Sequence, residues 1–155
     1  AVARQCTSFH ASGARTDLGI TTVSSLDLER LDRRSSFLSV LSPVSEVYSS
    51  REALYLSARN EFWWRKPAPG QPDQDRTYLH GFTHAAERVR YTASGSVPGY
   101  IADQFSMDEQ DGYLRVATTQ GNTWDTTRPA SRSACRTRSA RSPPASTPPT
   151  DCSRP

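Results

Sequence analysis

Three groups of side chains in this sequence have the types and spacings that chemistry requires. The first is acidic: Asp108, Glu109 and Asp111 fall together in QFSMDEQDGYLRVATT. Carboxylates this close could hold a cation, act as an acid–base pair, or simply solvate a bend. A calcium loop needs several oxygen ligands and usually a later bidentate carboxylate. No glutamate stands at the far end of this stretch. In extended chain, neighbouring side chains point to opposite faces, so Asp108 and Glu109 need not converge. Asp111-Gly112 is among the strongest hairpin dipeptides. The stretch therefore reads as strand, bend, strand, with the three acids kept as candidate metal ligands. Hydrolysis by paired carboxylates would need a second wall across a cleft, and no residue supplies one.

The second group is His80 and His84 in HGFTH. Four residues apart on a helix, two imidazoles can share a zinc ion. This segment alternates like a strand, where that spacing is about 13 Å. The pair reads as edge or surface histidines. The third group is aromatic: Phe62, Trp63 and Trp64 lie in NEFWWRKPAPGQPDQDR. Exposed aromatics in such a loop could contact a carbohydrate or a protein, so the three are the candidate binding residues. Packing against a sheet is the preferred reading, since large aromatics are mostly buried. Cys6, Cys135 and Cys152 are odd in number and form no C-x-x-C, so they read as unpaired or incidental. No phosphate loop, nucleophile elbow or Cys–His spacing occurs. No catalytic residue and no cofactor is assigned.

The elements that would carry these groups are short strands. LGITTVSSLDL (18–28) is β-branched with partial alternation, FLSVL (37–41) ends before Pro43, and SEVYSSREALYLSAR (45–59) is patterned as a hairpin. Residues 60–76 form a long Pro-rich loop. TYLHGFTH (77–84), RVRYTASGSV (88–97) and the QFSM and YLRVATT arms follow. No stretch sustains a helical apolar period, so the fold class is all-β. VYSSREALYLSA and FSMDEQDGYLRVAT share one plan, and Tyr55 and Tyr113 stand 58 positions apart. Less the inserted loop, the period is about 40–45 residues, the length of a four-stranded propeller blade.

Residues 126–155 differ in kind. They contain no Val, Ile, Leu, Met, Phe, Tyr or Trp, so they offer nothing for a core strand to bury. They hold six Arg and one Asp, which leaves the rest of the chain a formal −2 against +3 for the whole. The basic character belongs to this tail, and a nucleic-acid partner is not expected for the folded part. The tail reads as either out-of-frame translation of GC-rich DNA or a Pro/Ser/Thr-rich linker. It is expected to be disordered. Residues 1–17 are irregular and polar. No signal-peptide pattern and no apolar run long enough for a membrane span is present.

GSVPGY (95–100), DQFSMDE (103–109) and GYLRVATT (112–119) together resemble the secreted bacterial and archaeal proteins with a β-propeller domain distantly related to WD40 repeats. VYSSREALYLSA and TYLHGF are similar to that family's strand pattern as well. The resemblance covers about residues 17–124 and stops where the tail begins. It implies a fragment of a β-propeller, about one blade plus parts of its neighbours, in residues 18–125. It implies a secreted or cell-envelope location, with a parent protein that could be membrane-anchored. The function expected from it is a non-catalytic binding or scaffold module for an unknown protein or cell-surface ligand. The alternative is a propeller enzyme whose active site sits on a rim or in the channel, mostly outside this segment.

Overall fold

The computed structural model describes residues 9–11, 18–30, 35–60, 75–85, 88–121, 130–138, 140 and 151–153. Its strands are β1 (Phe9–His10), β2 (Thr21–Ser25), β3 (Ser36–Val40), β4 (Glu46–Ser49), β5 (Ala53–Arg59), β6 (Arg76–Ala85), β7 (Arg88–Pro98), β8 (Met107–Gln110), β9 (Tyr113–Gln120), β10 (Ser131–Arg138) and β11 (Asp151–Ser153). A single 3₁₀ turn at Gln104–Ser106 precedes β8, its N–H at Ser106 held by the Asp103 carboxylate.

These strands form three sheets. The central sheet is the meander β4-β5-β6-β7 and the C-terminal sheet is the meander β8-β9-β10-β11, both antiparallel throughout. The N-terminal sheet has the order β1-β3-β2, with β2 antiparallel and β1 parallel to β3. Consecutive four-stranded meanders stacked face to face are the architecture of propeller blades. The described residues thus make part of a propeller, as the sequence implies.

The inner strands of the central sheet are buried on both faces, while β4 and β7 at its edges alternate with exposed positions. In ALYLSAR of β5, Ala53, Tyr55, Leu56, Ser57 and Ala58 are all buried. One face joins Ala53, Tyr55, Leu79 and Val97 to Met107, Leu114, Val116 and Cys135 of the C-terminal sheet. The other joins Leu56 and Phe82 to Leu38 and Val40 of the N-terminal sheet. A strand sandwiched in this way loses the polar/apolar alternation of a half-exposed strand. The outer sheets keep it: β9 alternates with Leu114, Val116 and Thr118 buried and Arg115 and Ala117 exposed. In β2 and its flanks the outward positions carry Leu18, Ile20, Leu26 and Leu28, all exposed.

The tail corrects the expectation that it has nothing to place in a core. Residues 131–138 form β10, paired with β9 from Ser131↔Gln120 to Arg138↔Tyr113. A central ladder position needs backbone donors and acceptors on both sides, not bulk. Ser133 and Cys135 are small enough to lie buried, while Arg132, Ala134 and Arg136 face outward. The cysteines are corrected too. Cys135 and Cys152 stand opposite each other on β10 and β11 and form a disulfide. Because the tail supplies two strands, the C-terminal sheet is a full four-stranded blade. Phe9–His10, within the segment expected to be irregular, adds a two-residue strand.

Candidate functional site

The strand ends of the stacked sheets form two rims of different construction. One rim carries the tight turns. Asp111 and Gly112 connect β8 to β9 with φ of 53° and 75°, the left-handed pair that a two-residue I′ hairpin requires. Glycine takes that conformation freely, and aspartate tolerates it better than most residues. This is the strand–bend–strand reading of the acidic stretch.

The hairpin separates its acids. Asp108 points to the open face of the C-terminal sheet and pairs with Arg115 across the ladder. Both side chains are about half exposed, at 54% and 53%. Glu109 turns toward the central sheet, where its carboxylate accepts from the Ser50 hydroxyl and its N–H donates to the Tyr48 hydroxyl at 3.1 Å. Asp111 is exposed at the bend. The three carboxylates therefore serve three surroundings. Among the described residues no cluster of three or more His, Cys, Asp or Glu is placed to hold a metal ion.

The other rim is where two longer connections leave and return, residues 61–74 between β5 and β6 and residues 122–129 between β9 and β10, while the connection from β10 to β11 starts at the first rim, where Arg138 pairs with Tyr113. Phe62, Trp63 and Trp64 belong to the first of these and lie outside the described residues. The strand ends that bracket both connections are clamped together. Asp75, 2% exposed, precedes β6 and accepts from Arg59 Nη2 at 2.9 Å through one carboxylate oxygen. Its other oxygen accepts the Gly121 N–H at 3.2 Å, and its carbonyl accepts the Gly99 N–H at 2.7 Å. The Arg59 guanidinium also lies over the Tyr100 ring, 4.4 Å from its centroid. Tyr100 and Thr119 exchange two backbone hydrogen bonds, at 2.8 and 2.9 Å. Gly99 has φ of 79°, and a Cβ there would stand 2.4 Å from the Thr119 carbonyl oxygen. The close crossing of the two sheets at this rim needs glycine at that position.

A buried charge pair of this kind is costly to desolvate, and its worth depends on the extra hydrogen bonds that complete it. Here those bonds come from two different sheets. The clamp fixes the ends of both long connections in one place. Sequence reasoning assigned Asp75 to the loop and passed over Arg59 and Tyr100. The one local signal was the Pro-Gly-Tyr run, whose glycine marks the close approach.

The histidines part company. His84 is exposed, as expected. His80 is corrected: it is fully buried, at 0% exposure, with Nδ1 3.0 Å from the Tyr91 hydroxyl. Its apolar neighbours in sequence gave no hint, because a strand buried on both faces hides its inward positions. Burial holds its pKa below the usual histidine value. Among the described residues no helix is long and apolar enough to cross a membrane. A family model described as beta propeller domain matches residues 2–137. No curated protein and no solved structure matches the chain.

Proposed function

The chain belongs to the beta propeller domain family, and from that premise we propose that it forms part of a non-catalytic binding module of the cell envelope or cell exterior. Its ligand is a protein or cell-surface component, held at the long-connection rim. Propellers host both enzymes and binding modules, so the reading rests on the site. The observation that carries it is the Arg59–Asp75–Gly121 clamp, which brings the ends of two long connections to one rigid place. Binding residues are commonly carried by loops that a rigid scaffold positions, and the first connection includes Phe62, Trp63 and Trp64. The Cys135–Cys152 disulfide supports the location, since such bonds persist in oxidising compartments.

The test is a calorimetric titration of the chain with solubilised cell-wall polysaccharide and, separately, with a cell-surface protein fraction. Saturable binding to one of them is expected. Replacing Trp63 and Trp64 together by Ala should weaken it at least about tenfold, about 1.4 kcal/mol, without shifting the melting temperature. No saturable binding, or equal binding by the double variant, contradicts the proposal. Thiol titration of the denatured, unreduced protein should find only Cys6 reactive. Three reactive thiols would count against the oxidising location.

A further inference from the structure

His80 sits where nothing in the proposed binding role calls for an ionisable group. It faces the seam between the N-terminal and central sheets. Its ladder partner Leu56 and its strand neighbour Phe82 belong to the same apolar cluster as Leu38 and Val40. One imidazole nitrogen, Nδ1, meets the Tyr91 hydroxyl. The other, Nε2, is buried and has no hydrogen-bond partner among the described residues.

Tyr91 reaches this face through an irregularity of the ladder. The β6–β7 register shifts between Gly81 and Phe82, so Gly81 faces Ala93 while Phe82 faces Tyr91. Tyr91 and Ala93 are two residues apart and would share a face in a regular strand. The bulge sends them to opposite faces: Ala93 packs on the cluster shared with the C-terminal sheet, Tyr91 on the cluster shared with the N-terminal sheet. Tyr91 is also stacked on His10 of β1, ring centroids 4.4 Å apart and planes 12° from parallel. Phe82 meets the Tyr91 ring edge-on at 5.4 Å. His80, Tyr91 and His10 thus form a column joining β6, β7 and β1 across the seam.

We propose that this column is a proton-sensitive latch: protonation of His80 opens the seam between the N-terminal and central sheets while the seam to the C-terminal sheet stays closed. The cation carries N–H groups on both ring nitrogens whichever tautomer preceded it. One can turn to the Tyr91 oxygen, and the Nε2–H has no hydrogen-bond partner among the described residues. Among the described residues the surroundings offer no compensating charge. β1 brings His10, and β7 brings Tyr91, Val89 and, directly across the ladder from His80, the neutral Ser94. β2 brings Val23, β3 brings Leu38 and Val40, and β5 brings Leu54 and Leu56. His84 lies farther along the same face of β6 and is exposed, while Arg88 and Arg90 are exposed on alternate positions of β7. A buried unpaired cation is unfavourable, and separating the sheets returns it to water.

The sign follows from linkage. His80 has a depressed pKa in the closed form, so the open form binds more protons below the ordinary histidine value of about 6.5. The latch is fully closed above that value and weakens as pH falls below it.

The experiment is hydrogen exchange of the chain at about pH 7.5 and about pH 5, corrected for intrinsic rates, a window that brackets histidine titration. Acidification should cost β1–β3 their amide protection while β8 and β9 keep theirs. His80→Phe should abolish the difference, and His10→Phe should leave it in place. Equal loss across both seams, no loss, or an unchanged response in His80→Phe overturns the proposal. If His80→Phe does not fold, NMR titration of the wild-type imidazoles decides. Protonation of His80 together with opening of β1–β3 upholds the latch. Protonation of His80 with the seam still closed refutes it.

Discussion

The central sheet meets its two neighbours in different ways. Toward the C-terminal sheet it shares an apolar cluster and a set of polar ties at both rims. Asp75 takes the Gly121 N–H, the Tyr48 hydroxyl takes the Glu109 N–H, and the Tyr55 hydroxyl takes the Ala140 N–H at 2.9 Å. Toward the N-terminal sheet it shares Leu56, Phe82, Leu38 and Val40, the His10–Tyr91 stack, and the hydrogen bond from Val89 N–H to Ser36 Oγ at 3.3 Å. Apolar contact is non-directional, whereas hydrogen bonds demand geometry. The first seam is thereby fixed in angle and register. The second is held mainly by burial, which leaves room for a proton to ease it.

Substitutions can break or sharpen this contrast. The largest effect is expected at Phe82, fully buried in the apolar seam. Phe82→Ala should cost about 3–5 kcal/mol, read as a lowered denaturation midpoint, and should expose β1–β3 to proteolysis first. Next comes the disulfide that joins β11 to β10 across 17 residues. Replacing Cys135 and Cys152 by Ala should cost about 3 kcal/mol by the loop-entropy estimate, with protease cleavage near β11 as the local signature. Asp75→Ala should follow, at about 1–3 kcal/mol, because it strands the Gly121 N–H and removes one partner of Arg59. Its effect should fall on the C-terminal seam and leave β1–β3 protection unchanged. The smallest is Asp108→Ala. Its pair with Arg115 is exposed, so the change should stay within about 0.5 kcal/mol and shrink in high salt.

Much of the architecture was legible in the residues. The Asp111-Gly112 hairpin, the β4–β5 hairpin and the paired strands 76–85 and 88–98 follow from turn chemistry and β-branched runs. Legibility failed where bulk and role part company. β10 has no large apolar residue, yet Ser133 and Cys135 fill a position where small side chains suffice. Whether Cys135 and Cys152 meet depends on the β9–β10–β11 pairing, which no spacing encodes. His80 looked like a surface histidine because β6 alternates, whereas a sheet covered on both faces has no outside. The Arg59–Asp75 clamp joins residues separated by a long connection, and only the closed ladder brings them together.

The inequality of the two seams is measured most directly by native-state hydrogen exchange in increasing denaturant at neutral pH. β1–β3 should open first, β8 and β9 should follow at higher denaturant, and β5 and β6 should exchange last. Release of all three sheets at one denaturant concentration, or release of β8 and β9 before β1–β3, would contradict it.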